Sequence, residues 1–183
     1  MRESGLNLFM SGGAVLIRMW GFVIFFLLAA CFPGAMAAQE VPVPQGQQKG
    51  SLNLNVNYPG AALRYFVADG KGLELLGQGQ DDVFVGGLRY YCYPKKLRGA
   101  VFSPYAAAEW DYLSFKGDYS KGKGWGVGLY AGVEYRLGGR FSLQADTGAM
   151  YVSVKDKSTD LIESGLEFLL NFGFNVYFGG GRP

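Results

Sequence analysis

A carboxylate pair could in principle do acid–base work in this chain, but the histidine that most often accompanies one is missing. Glu109 and Asp111 stand two positions apart, with Glu74, Glu134, Asp146 and Glu167 elsewhere along the chain. The sequence contains no histidine, which removes the commonest general base and nitrogen metal ligand. A serine or cysteine nucleophile would therefore lack its customary proton acceptor. Of the two cysteines, Cys31 lies in an apolar run, and Cys92 lies on the apolar face of YYCYP, where burial favours the neutral thiol. Two acids at i and i+2 point to one side of a strand, and there they ordinarily join an ion-pair network. No catalytic, metal-binding or cofactor-binding residues are expected, and no cofactor.

The charged residues instead share a pattern of position. From residue 51 onward, apolar residues alternate one-on, one-off in short segments separated by Gly, Asp, Lys and Ser clusters, the period of half-buried strands. In residues 125–137, Trp125, Val127, Leu129, Ala131, Val133, Tyr135 and Leu137 fall on one face, with Glu134, Arg136 and glycines on the other. After Gly138-Gly139, a hairpin turn, Phe141, Leu143, Ala145 and Tyr151 oppose Ser142, Gln144 and Asp146. The last strand sets Leu166, Phe168, Leu170, Phe172, Phe174, Val176 and Phe178 against Glu167, Asn171, Gly173 and Asn175. Upstream, Glu109 and Asp111 oppose Trp110 and Tyr112, in a strand that begins in effect after Pro104. Arg89 opposes Leu88 and Tyr90, Arg64 lies between Leu63 and Tyr65, and Glu74 follows the tight turn 69–72. Residues 52–56 supply a first strand. The count is eight if Pro59-Gly60 turns the chain; the alternative is one long bent strand.

At 183 residues the chain has room for one domain. Hydrophobic residues are 49% of it and aromatics 16%, yet the mean hydropathy is only +0.08, so the apolar residues are dispersed among polar ones. A formal charge of +2 gives no concentrated basic surface for phosphates, and no nucleic-acid partner is expected. The 29 glycines show no Gly-X-Y period and fit tightly curved β-structure.

One stretch escapes the dispersal. Residues 20–32, WGFVIFFLLAACF, follow Arg18 and are too short to span a bilayer. Pro33-Gly34 end the run, and Ala35-Met36-Ala37 supply the small-x-small pattern of signal-peptidase cleavage. This predicts a signal peptide over 1–37 with cleavage before Ala38. The competing reading is Leu28-Ala29-Ala30-Cys31, a lipoprotein-type box with Cys31 acylated. Residues 38–50, polar and with two prolines in VPVP, read as a flexible lead-in, and residues 51–183 as the β-domain.

Face chemistry bears on which side is inside. The polar faces carry Arg64, Glu74, Arg89, Glu109, Asp111, Glu134, Arg136, Asp146 and Glu167 but almost no lysine; the lysines Lys71, Lys95, Lys96, Lys116, Lys121, Lys123, Lys155 and Lys157 sit in turns and loops. The narrow interior of an eight-stranded barrel suits small residues with arginines and carboxylates that pair across it. The reading is an all-β, antiparallel up-and-down transmembrane β-barrel, apolar outside. Trp110, Tyr112, Trp125, Tyr135 and Tyr151 are expected at headgroup level. In hydrocarbon every backbone N–H and C=O must be paired, which favours closure. A soluble barrel with an apolar cavity, lipocalin-like, is the alternative.

Residues 51–178 resemble the small outer-membrane β-barrel proteins typified by OmpA's membrane domain and OmpX. GAALRYFVADGKGLELLG resembles that family's down-strand, short periplasmic turn and up-strand, and GWGVGLYAGVEYRL with GGRFSLQADTGAMY resembles a later hairpin. Asn171-x-Gly173-x-x-Val176-x-Phe178 resembles the C-terminal assembly signal of such barrels; the tail 179–183 departs from it, because these proteins commonly end on the aromatic residue. The resemblance implies a bacterial outer-membrane location, with outer-membrane lipid and the barrel-assembly machinery as partners. It implies a non-enzymatic structural or surface-interaction role with the lumen charges as internal pairs, and it identifies no surface ligand. Other readings of the same family are a porin-like small-conductance pore and a lipid-modifying enzyme; the enzymes of this kind use a histidine beside a serine or aspartate, which this chain lacks.

Overall fold

A computed structural model describes residues 45–80, 82–95, 100–117 and 121–179, all within one compact unit, Val41–Pro183. The signal peptide, its cleavage site, the Cys31 alternative and the beginning of the lead-in lie outside the described residues.

Eight strands, each antiparallel to its neighbours in sequence, form a closed barrel. They are β1 (Leu52–Asn57), β2 (Gly60–Ala68), β3 (Lys71–Gln80), β4 (Val83–Cys92), β5 (Phe102–Lys116), β6 (Lys121–Gly138), β7 (Phe141–Asp156) and β8 (Ile162–Phe178). Closure is made by β1 against β8, from Leu52 opposite Phe178 to Val56 opposite Phe174. Residues 58–59 do turn the chain, so β1 and β2 are separate strands. The wall is uneven: β1 to β4 have 6, 9, 10 and 10 residues, β5 to β8 have 15, 18, 16 and 17.

Two tight hairpins share one end of the barrel with the start of β1 and the end of β8. Each places a glycine in the left-handed region, Gly70 at φ 69° and Gly139 at φ 54°, where a Cβ would be strained. This is the terminal end of the barrel, and the opposite one is its far end.

Several strands run further than their alternation predicts. β3 reaches Gln80, β5 starts at Phe102 and passes through Pro104, and β6 and β7 extend into the lysine-bearing segments. Pro104 is tolerated because β5 pairs with β4 only from Ala106 onward. At Pro104 the ladder is one-sided, and a missing N–H removes no bond there.

The two faces separate by chemistry, and the apolar one points outward. Leu63, Leu75, Leu88, Leu129, Leu143 and Phe168 are exposed on the outside, Leu129 by 71% and Phe168 by 76%, while Arg64, Glu74, Arg89, Glu134 and Asp146 are buried inside. This is the reverse of a soluble barrel with an apolar cavity. Aromatic pairs mark two levels of the outer face. Trp125 and Tyr151 lie 5.8 Å apart by ring centroids, towards the far end; Phe102–Tyr135 (4.8 Å) and Phe141–Phe174 (5.7 Å) lie towards the terminal end. Along β6, the span from Trp125 to Tyr135 is roughly 33 Å at ~3.3 Å per residue, and a tilt of about 40° reduces it to roughly 25 Å along the barrel axis.

Candidate functional site in the barrel lumen

Strand register writes a row of alternating charge around the inner wall. Arg64 on β2 is opposite Glu74 on β3, Glu74 opposite Arg89 on β4, and Arg89 opposite Glu109 on β5. Opposite charges directly across a ladder attract at side-chain distance, so each charge is flanked by its counterion before any contact across the lumen forms. The row then meets Gly128 on β6, where the absent side chain leaves room for the ring of Tyr130: a Cβ there would lie 2.9 Å from that ring.

Contacts across the lumen complete the set. The Arg64 guanidinium is fully buried; it donates to Glu74 Oε2 at 2.9 Å, to the Tyr93 hydroxyl at 2.8 Å and to Gln144 Oε1 at 2.8 Å. It also stacks 3.5 Å over the Tyr91 ring, whose hydroxyl donates to Glu74 Oε1 at 2.8 Å. Arg89 is paired with Glu109 and reaches Asp146 Oδ2 at 3.2 Å. Asp146 further accepts from Tyr105 at 2.7 Å and from Asn171 at 2.8 Å. Glu134 accepts from Tyr93 at 2.9 Å, from Ser142 at 2.6 Å, from Tyr177, and from Gln47 at 3.3 Å. Charges removed from water are costly unless paired and hydrogen-bonded in this manner.

Three of the expected lumen residues stand apart. Glu167 is on the inner side of β8, opposite Met150, yet it is exposed, because β1 pairs with β8 only over Phe174–Phe178 and the wall beside Glu167 is low. It has no ion pair among the described residues. Arg136 is buried but unpaired with any carboxylate among them, and its guanidinium lies 5.1 Å from the Tyr177 ring centroid with Nε and Nη2 unpartnered. Asp111 is buried with Oδ1 unpartnered, and Gly87 beside it is obligatory because a Cβ would run into that oxygen.

The lumen is more than charge. Tyr91, Tyr93, Tyr105, Tyr130 and Tyr177 are buried with Phe66 in one cluster, and their hydroxyls are the donors that satisfy the carboxylates. Their signal in the sequence was parity: Tyr91 and Tyr93 alternate with Cys92 in phase with Arg89, and Tyr105 is in phase with Glu109. The lead-in also differs from its expectation over its last residues. Gln45–Gln47 form a turn of 3-10 helix that caps the terminal end, with the Gly70 N–H donating to the Gln47 carbonyl at 2.8 Å and the Lys49 N–H to Asp69 Oδ1 at 2.9 Å. Gly46 lies against the Tyr177 ring, where a Cβ would be 2.7 Å away; the polar, glycine-bearing composition that reads as flexible is what allows this close approach.

The proposed assembly residues divide between the faces. Asn171 and Gly173 point inward, Asn171 to Asp146 and Gly173 against the Asn55 amide. Val176 and Phe178 lie on the outer face, opposite Leu54 and Leu52 of β1. Both halves of the pattern thus sit at or next to the closing seam. Chemically, the arrangement fills the lumen towards the terminal end: Glu74, Glu109, Glu134 and Asp146 are engaged by arginines, tyrosines, serine and amides, and aromatic rings pack among them.

No protein-family model matches the sequence, and no curated protein matches it. Among solved structures, the chain is similar to the crystal structure of the outer membrane protein OprG from Pseudomonas aeruginosa, with 14% sequence identity and a TM-score of 0.49 over 74% of this chain and 99% of that one.

Proposed function

We propose that this chain is a bacterial outer-membrane β-barrel protein with a non-enzymatic, structural or surface-interaction role, of the kind typified by OmpA's membrane domain. The observation that carries the reading is the outward apolar face. It is bounded by aromatic levels roughly 25 Å apart, the height of the apolar band on barrels of this kind, while the buried charges point inward. In water that face would be a very large exposed apolar surface; in hydrocarbon it is solvated, and the closed ladder leaves few backbone groups unpaired. The filled lumen favours a closed barrel over a pore. The signal peptide over 1–37 and delivery by the barrel-assembly machinery belong to the same proposal.

Cell fractionation with a heat-modifiability gel tests it. The protein should appear in the outer-membrane fraction, with the mass of a chain beginning at Ala38, and should migrate differently before and after boiling. Recovery in the soluble fraction with unchanged mobility would overturn the reading. Single-channel recording should give no steady conductance; a steady current would favour the pore instead.

A further inference from the structure

Lysine is nearly absent from the strand midsections, but at the far end the register gathers it. Lys116 on β5 is directly opposite Lys121 on β6, and Lys123 on β6 is directly opposite Lys155 on β7. All four are exposed and lie in phase with Tyr112, Trp125 and Tyr151, so they are on the outer face, away from the lumen. The Lys157 N–H donates to the Lys121 carbonyl at 2.7 Å, bringing a fifth lysine to the group. Like charges directly opposite one another destabilise a ladder, and here two such pairs lie side by side. Asp160 answers Lys155 at 2.7 Å, and Asp156, opposite Gly122, belongs to the inner face.

The patch has a definite height and a definite side. Lys123 lies two residues beyond Trp125, roughly 7 Å further along the strand, and its ammonium is 5.8 Å from the Tyr112 ring. From the barrel middle outward, this sector reads Leu129 and Val127, then Trp125, Tyr112 and Tyr151, then lysines: apolar, aromatic, cationic. That order matches a lipid from acyl chain through interface to headgroup. The far ends of β1 to β4 carry Asn57, Tyr58, Gln78, Gln80 and Asp82 and no lysine among the described residues, so the charge is confined to the tall β5–β7 wall.

We propose that this wall binds a phosphorylated lipid headgroup in the leaflet at the far end, the outer leaflet under the proposed membrane reading on which this inference rests. An ammonium is a compact point charge suited to phosphate oxygens, and a phosphate between the paired lysines turns a repulsive arrangement into an attractive one.

The test refolds the mature full-length chain into phosphatidylcholine vesicles with or without diphosphorylated lipid A, extracts it in mild detergent and measures lipid retained per barrel. Diphosphorylated lipid A should be retained and the same lipid stripped of phosphates should not; added pyrophosphate should not replace it, since it lacks the acyl chains that hold the headgroup in place. K123Q should weaken retention about fivefold, the effect of one lysine near an anionic surface, and K116Q/K121Q/K123Q/K155Q should abolish it. K49Q/K71Q/K95Q at the terminal end should retain lipid normally. Retention by the quadruple variant, or retention indifferent to the phosphates, overturns the inference while a heat-modifiable, vesicle-inserted barrel leaves the membrane reading standing. Tight pyrophosphate binding that displaces the lipid overturns the lipid assignment in favour of a free phosphate. Failure of the wild-type chain to insert overturns both.

Discussion

Arg64 illustrates what the lumen demands of a single side chain. Its guanidinium is cut off from water, so Glu74, Tyr93 and Gln144 must between them replace its hydration. Removing one member leaves a buried uncompensated charge. Arg64→Met should therefore cost about 3–5 kcal/mol in urea unfolding of the refolded barrel, with Glu74→Met similar and the double variant milder than either. Strictly additive losses would mean that the two do not act as a pair. At the far end the same chemistry has little leverage. The Lys155 ammonium, by hydrogen bond and charge, holds the Asp160 carboxyl below its ordinary range. A carboxyl depressed on folding stabilises above its unfolded value, and that contribution is lost as pH falls through the folded value. Because both groups are exposed, solvent screens the pair. Carbon-detected NMR should show Asp160 titrating below the usual aspartate range, Lys155→Gln should return it to that range, and Asp160→Asn should leave the unfolding midpoint unchanged.

At the scale of the strand, glycine placement separates packing from permissiveness. A Cβ at Gly148 on β7 would strike the Leu129 carbonyl and the Tyr130 ring, whereas one at Gly77 on β3 would meet nothing within 4 Å. Gly148→Ala should cost about 1–3 kcal/mol through overpacking, and Gly77→Ala should be nearly neutral; equal effects in urea unfolding would contradict the packing. β8 carries a second, separable demand. Phe178 faces outward opposite Leu52 at the closing seam, and burying such a side chain contributes on the order of 1.5–3 kcal/mol. Phe178→Ser should lower the amount of protein reaching the outer membrane more than it lowers the stability of refolded protein; normal membrane levels would remove the assembly-signal reading. Two-residue alternation made β6, β7 and β8 legible, together with the inward placement of Glu109, Glu134 and Asp146, because each such strand has one polar and one apolar face. It was silent where that contrast fades. Glycines and lysines replace the apolar residues at the far ends, so β3, β6 and β7 run longer than their pattern. Tyrosine suits both a membrane interface and a packed lumen, so composition leaves Tyr91, Tyr93 and Tyr105 unassigned; parity assigns them. Glu167 obeys parity yet is exposed, because wall height depends on the partner strand and not on its own sequence.

Taken as one object, the barrel buries most of its arginines and strand carboxylates and offers its leucines, valines and tryptophans to the surroundings, the inverse of a soluble protein. The proposed membrane role and the proposed lipid contact at the far end depend on that inversion being matched by lipid. Past residue 44 the tryptophans are Trp110 and Trp125, both on the outer face and 49% and 44% exposed in the isolated barrel. They are native reporters of what that face touches. In the mature chain beginning at Ala38, refolded into bilayers, fluorescence from both should be quenched by lipids brominated on the acyl chains and largely spared by aqueous iodide. Strong iodide quenching, with brominated lipid ineffective, would show the outer face in water and contradict the account.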